Sequence, residues 1–154
     1  MRKNTTIIFG CLIIIFILLT FCTKDKSIFK SNLDIDYYLS TWPDTLYSES
    51  IGLPNLNLPL AAQRASAYRA ARVNLYQELL DSVYTLPISK NENIGSYCSL
   101  GQHVDFNSDI CDYIMNYNID DTIYFIDGSV KLIGYITTDS LKVITIEYLM
   151  SIDN

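Results

Sequence analysis

The stretch from Pro59 to Leu86, PLAAQRASAYRAARVNLYQELLDSVYTL, constrains this chain more than any other. Tyr68, Ala71, Leu75, Leu79, Val83 and Leu86 recur every three or four residues, the spacing of one helix face. Val73, Tyr76 and Leu80 widen that stripe on one side, while Arg64, Arg69, Gln77, Glu78 and Asp81 fall mostly off it. Ala, Leu, Arg, Gln and Glu dominate, and all are good helix formers. Pro59 suits a first helical turn and Pro87 marks a stop. A helix over 59–86 is about 40 Å long at a rise of about 1.5 Å per residue. That is enough to cover a small sheet from end to end. Ala61, Ala65, Ala67, Ala70 and Ala71 give it a small-residue surface, suited to close packing on a sheet or to a helix of another subunit.

A sheet is expected on the C-terminal side. Thr122–Ile136 is long and β-branched, with Asp127-Gly128 as a bulge or kink. Thr138-Asp139-Ser140 reads as a turn, and Leu141–Met150 as a closing strand that completes an antiparallel hairpin. Between the long helix and these strands, Asn91–Gly95 reads as a turn and Tyr97–Phe106 as a weaker strand. A short second helix follows, capped by Asn107 or Ser108, with Ile110, Tyr113, Ile114 and Tyr117 on its apolar face. The expected class is α+β: a long helix (about 59–86) packed on a small, mainly antiparallel sheet with a C-terminal β-hairpin and a short second helix. Val130, Leu132 and Ile136 point to one sheet face, Ile133 and Tyr135 to the other. Two helices cover one face well. The second is then either a contact surface for self-association or is closed by residues 33–58, including Tyr37, Tyr38 and Trp42.

The N-terminus reads as a targeting signal. Arg2 and Lys3 precede an apolar run from Ile7 to Leu19, too short for a comfortable membrane span. LLTFC resembles a lipobox, with Cys22 at the lipidation position and the large Phe21 before it. Three segments follow from this: residues 1–22 as lipoprotein signal and anchor cysteine, 23–58 as tether and irregular lead-in, and 59–150 as the folded domain. An uncleaved anchor and ordinary signal cleavage are the alternatives. Removing residues 1–21 takes away two of 11 basic residues and none of 17 acidic ones, leaving 9 against 17, or −8. Such a charge excludes nucleic acid and electrostatic binding to anionic lipid. Membrane attachment would come from N-terminal acyl chains.

Once Cys11 and Cys22 are set aside, Cys98 and Cys111 remain. They form either a disulfide or two buried free thiols. No metal ligand set and no cofactor are expected: CxxC spacing, a second histidine and a Gly-rich phosphate loop are all missing from the sequence. His103, beside Asp105, is the one candidate general base, but it lacks an evident nucleophile. Asp105, Asp109 and Asp112 do not have calcium-loop spacing. The chain is not expected to be an enzyme.

RASAYRAARVNLYQELLDSV, and within it Arg69, Ala70, Ala71, Arg72, Asn74 and Leu75, resembles the helix of the LPP20-type lipoprotein family. IDGSVKLIGY and LKVITIEYL look like that family's later strands, so the resemblance covers residues 59–150. Ser82-Val83-Tyr84 stands where the family commonly has a Gly-Val turn. The resemblance implies a lipid-anchored envelope protein of Gram-negative type, facing the periplasm, more often at the outer than the inner membrane. Some relatives assemble into rings or disks around the flagellar motor. A structural or assembly role through a protein partner or self-association is therefore expected. A monomeric periplasmic binding or accessory module is the alternative.

Overall fold

The structure, a computed structural model, describes residues 34–99, 101 and 103–152. The apolar N-terminal run and Cys22 lie outside the described residues. The chain divides into two units, Met1–Tyr37 and Tyr38–Asn154. In the first, residues 34–37 are helical. The second holds the fold, in the order β1 (Thr45–Gly52), α1 (Leu60–Tyr84), α2 (Ile94–Cys98), α3 (Val104–Met115), β2 (Asn118–Tyr124), β3 (Val130–Thr137) and α4 (Asp139–Ile152).

The class is α+β, with a long helix on a three-stranded antiparallel sheet of order β1-β3-β2. The helix runs as its periodicity predicts, from just after Pro59 to Tyr84. Ala67, Ala71, Leu75, Leu79 and Val83 are fully buried along it. Each step of four advances about 40° around the axis, so the contact row winds as it climbs. Its first part lies against β1. There Ser50 Oγ donates to the Ala71 carbonyl at 2.7 Å. A Cβ on Gly52 would stand 1.9 Å from the Ala67 carbonyl oxygen and 2.4 Å from the Ala71 nitrogen. Only glycine opposite two alanines allows this approach.

β3 is the central strand, and its buried residues Val130, Leu132, Gly134 and Ile136 alternate with Lys131, Ile133 and Tyr135 as the sequence indicates. The other elements depart from expectation in four places. First, the segment read as irregular lead-in supplies β1, paired with β3 from Thr45↔Thr137 to Gly52↔Val130. Second, Thr122–Ile136 is not one kinked strand but parts of two. The chain reverses between them, with Gly128 at φ 87° and Asp127 accepting from the Ser129 amide and hydroxyl at 2.9 and 2.6 Å. The hairpin toward the C-terminus is therefore β2–β3. Third, Leu141–Met150 is helical. Its β-branched run favours a strand, but β1 already occupies the free side of β3, and tertiary context overrides propensity. Leu141 and Thr145, four apart, are fully buried, and Thr145 Oγ1 donates to the Leu141 carbonyl at 2.8 Å. Fourth, Tyr97–Phe106 contains no strand among its described residues. Asn93 and Ser96 make a reciprocal cap that starts α2, and α3 begins at Val104, ahead of the expected Asn107 or Ser108.

The lead-in aromatics split. Leu39 and Trp42 are core residues, each 4% exposed, and Trp42 Nε1 donates to the Pro87 carbonyl at 2.8 Å. Trp42 thereby reaches the segment just after α1.

Candidate functional site

Three places in the fold could carry chemistry or recognition. The first gathers residues from α2, α3 and α4. His103 stacks on Tyr97 with ring centroids 4.1 Å apart and planes 11° apart, and its Nδ1 lies 3.0 Å from the Tyr148 hydroxyl. Phe106 stacks on Tyr148 at 4.6 Å and meets Tyr97 edge-on at 6.1 Å. The sequence singled out His103 and Asp105. It missed Tyr148, because 97–106 and 141–150 both read as strands. Leu141, Thr145 and Tyr148 at i, i+4, i+7 were the signal that could have revealed it. The Tyr148 hydroxyl is held above the usual range, mainly by burial, then by the charges of Asp105 and Cys98. It is a poor phenolate at neutral pH.

The second place is the cysteine neighbourhood. Cys98 on α2 and Cys111 on α3 are both free thiols, half-buried. Burial, and secondarily the proximity of Cys111, push the Cys98 thiol up to about 11. That is the reverse of an activated nucleophile, which needs its thiolate at neutral pH. Cys111 in turn lies near two phenols, Tyr76 and Tyr84, the second of which donates its hydroxyl to Asn107 Oδ1 at 2.7 Å. Burial first, then the Cys111 thiol, raises Tyr76 to about 12, and burial first, then Cys111, raises Tyr84 as well. Cys98, Tyr76 and Tyr84, on α2 and α1, are thus all held in their protonated forms. Among the described residues, no three His, Cys, Asp or Glu side chains converge to hold a metal ion. Asp109 and Asp112 lie on α3 and do not join Asp105 in a ligand set.

The third place is the sheet face turned away from α1. Register puts Tyr47, Glu49 and Ile51 of β1 beside Tyr135, Ile133 and Lys131 of β3, with Asn118, Asp121 and Ile123 of β2 beyond. Tyr47 and Tyr135 lie 5.4 Å apart, centroid to centroid. Glu49 and Lys131 form a diagonal ion pair at 2.6 Å, which stabilises an exposed face only weakly. Tyr47 is 62% exposed, Ile51 51% and Ile123 37%. Ile133 and Tyr135 between them are half-buried, and part of the lead-in, one of the two alternatives for closing this face, forms one of its strands instead. Ile144, read as part of a closing strand, belongs to α4.

Comparison with protein-family models, with curated proteins and with solved structures finds no match to this chain.

Proposed function

We propose that this chain is a lipid-anchored protein of the bacterial cell envelope, with a structural or assembly role exercised through protein contacts. The observation that carries the reading is the outer sheet face, where exposed Tyr47, Ile51 and Ile123 flank the half-buried Ile133 and Tyr135. These apolar and aromatic side chains are interleaved with Glu49, Lys131, Asp121 and Asn118, a mixed composition that suits a protein contact surface. The retained protons of Cys98, Tyr76 and Tyr148 favour contact over catalysis, since none of these groups is tuned toward a reactive base or nucleophile.

No helix among the described residues is long and apolar enough to cross a membrane. In this proposal the attachment is acyl chains on Cys22. The resemblance to LPP20-type lipoproteins favours the same reading and an outer-membrane or flagellum-associated complex facing the periplasm.

The test is the native mass of the detergent-extracted full-length protein, together with what co-purifies. The expected result is a discrete oligomer or a stable complex with a large envelope structure. A monomer that retains no partner defeats the proposal. The anchor is tested separately by Cys22→Ser, which should abolish acyl labelling. A mature N-terminus elsewhere, without lipid, overturns that part.

A further inference from the structure

A trough runs along the other side of the sheet, where α1 lies over β1 and β3 and leaves β2 partly open. Register turns Ile119, Thr122 and Tyr124 of β2 toward the helix side, opposite Gly134, Leu132 and Val130. The β3 partners Leu132 and Val130 are fully buried, yet Ile119 is 36% and Tyr124 56% exposed. β2 is also an outer strand of the sheet, so one row of its backbone N–H and C=O groups has no strand partner.

The trough has a consistent direction. Three adjoining concavities follow α1 from its start: the first is framed by Ala61, Arg64 and Ile126, the next by Arg64, Tyr68 and Tyr124, the last by Arg69, Val73 and Tyr117. Helix and strand therefore run antiparallel along its two walls.

Its charge is opposite to that of the chain. The sequence carries a net −6, but Arg64, Arg69 and Arg72 all line this trough. Among the described residues no carboxylate pairs with any of them; the two ion pairs involve Lys131 and Lys142. Arg69 Nε donates to the Ala65 carbonyl at 3.2 Å, and Arg72 Nε to the Tyr117 hydroxyl at 3.2 Å, with its guanidinium 5.7 Å from that ring. A guanidinium carries about five N–H donors, so most of the fork remains unused. Of the nearby acids, Asp127 lines the first concavity beside Arg64 but is engaged by the Ser129 amide and hydroxyl, Asp121 is opposite Ile133 and accepts from the Thr122 amide at 2.7 Å, and Asp120 sits at the bulge in β2.

Spacing narrows the occupant. Along α1 the rise from Arg64 to Arg69 is about 7.5 Å and to Arg72 about 12 Å. Side chains on one face of a strand repeat at about 6.8 Å, and two repeats span about 13.6 Å. We propose that this trough docks an extended acidic segment of a partner protein. The segment adds to the free edge of β2 as a fourth strand and sets carboxylates at alternate positions against Arg64, Arg69 and Arg72. Backbone pairing supplies affinity, and the arginine forks select the acidic side chains. The residues between the carboxylates face Asp121, so a uniformly acidic segment binds less well than an alternating one. The site is separate from the outer sheet face and does not depend on self-association there.

The experiment uses the full-length protein in detergent and a fluorescein-labelled twelve-residue peptide alternating Glu and Thr, blocked at both ends. Fluorescence anisotropy should show saturable binding that weakens with salt. Arg64→Glu with Arg69→Glu should reduce affinity at least tenfold and confer binding of the matching Lys/Thr peptide. Both residues are exposed on α1, and circular dichroism verifies that the variant stays folded. Methylating alternate backbone nitrogens of the peptide should also weaken binding at least tenfold, which a purely electrostatic contact would not do. Ile133→Lys should leave peptide binding unchanged. Four results overturn the proposal: no saturable binding, equal binding by the double variant, equal binding of the methylated peptide, or a wild-type dimer that the double variant abolishes, which would make a second copy the occupant. Binding of the wild type to phosphatidylglycerol vesicles without binding to the peptide would overturn it as well.

Discussion

Gly52→Ala tests the closest contact in the fold, and the sign of its effect is decisive. The added Cβ would lie 1.9 Å from the Ala67 carbonyl oxygen, 2.4 Å from the Ala71 nitrogen and 3.0 Å from the Ala67 carbonyl carbon. All three are backbone atoms, so no side-chain rotation relieves the clash. Strand and helix must separate by about 1.5 Å to restore ordinary van der Waals distance, and dispersion contacts along the α1–β1 seam weaken over such a gap. Overpacking typically costs about 1–3 kcal/mol. Stretching the Ser50–Ala71 hydrogen bond adds about 1 kcal/mol. Against this, alanine removes backbone freedom from the unfolded chain, which favours folding by about 0.4–1 kcal/mol. The net expectation is a loss of about 1–3.6 kcal/mol, or roughly 4–14 °C in Tm for a domain of this size. Urea unfolding followed by circular dichroism measures it. An unchanged or raised stability would mean that β1 does not lie against Ala67 and Ala71, and would refute the packing described for the sheet.

Other predictions follow from the same packing. Leu79→Ala, at a fully buried site, should cost about 2–5 kcal/mol in chemical denaturation; near-wild-type unfolding would mean the stripe faces a partner instead. Trp42→Phe removes the donor to the Pro87 carbonyl and should cost about 1–3 kcal/mol, read from the thermal midpoint. The Cys98 thiol is raised from its ordinary 9.0 to about 11, so between those values the folded chain holds a proton that the unfolded chain has lost. Its contribution is complete below about pH 9 and is lost as pH rises toward 11, with Tyr76 acting in the same direction from 10.0 to about 12. Unfolding measured against pH should show this alkaline decline, and Cys98→Ala should flatten its lower part; an identical slope in the variant would refute the assignment.

The physical reasons for what the sequence disclosed differ from element to element. α1 was legible because a 3.6-residue period, two prolines and good helix formers agree over 25 residues. β3 was legible because its inward and outward residues alternate cleanly. β1 was hidden by its own packing. The helix comes so close that the strand's inward positions at 48, 50 and 52 are Ser, Ser and Gly, and the apolar alternation that marks a strand is missing. α4 was hidden for the opposite reason. VITI has strand propensity, and only the occupied sheet position beside β3 makes it helical. The outer sheet face was read in part: Ile133 and Tyr135 were placed on it, but Tyr47 and Ile51 needed β1 to exist. The arginine trough was not read at all. Arg64 and Arg69 appeared as residues off the helix stripe, and their common orientation toward β2 depends on where the sheet ends.

The central claim is that this chain acts by protein contact through the outer sheet face. The most direct measurement is light scattering of the detergent-extracted full-length protein, wild type beside Ile133→Lys, with circular dichroism to verify that both are folded. The account predicts a discrete oligomer or partner complex for the wild type and a monomer for the variant, because Lys at position 133, between Glu49 and Asp121, replaces the apolar side chain at the centre of the face with a long charged one. A wild type that is monomeric and without partner at high concentration, or a variant that assembles as the wild type does, would contradict it.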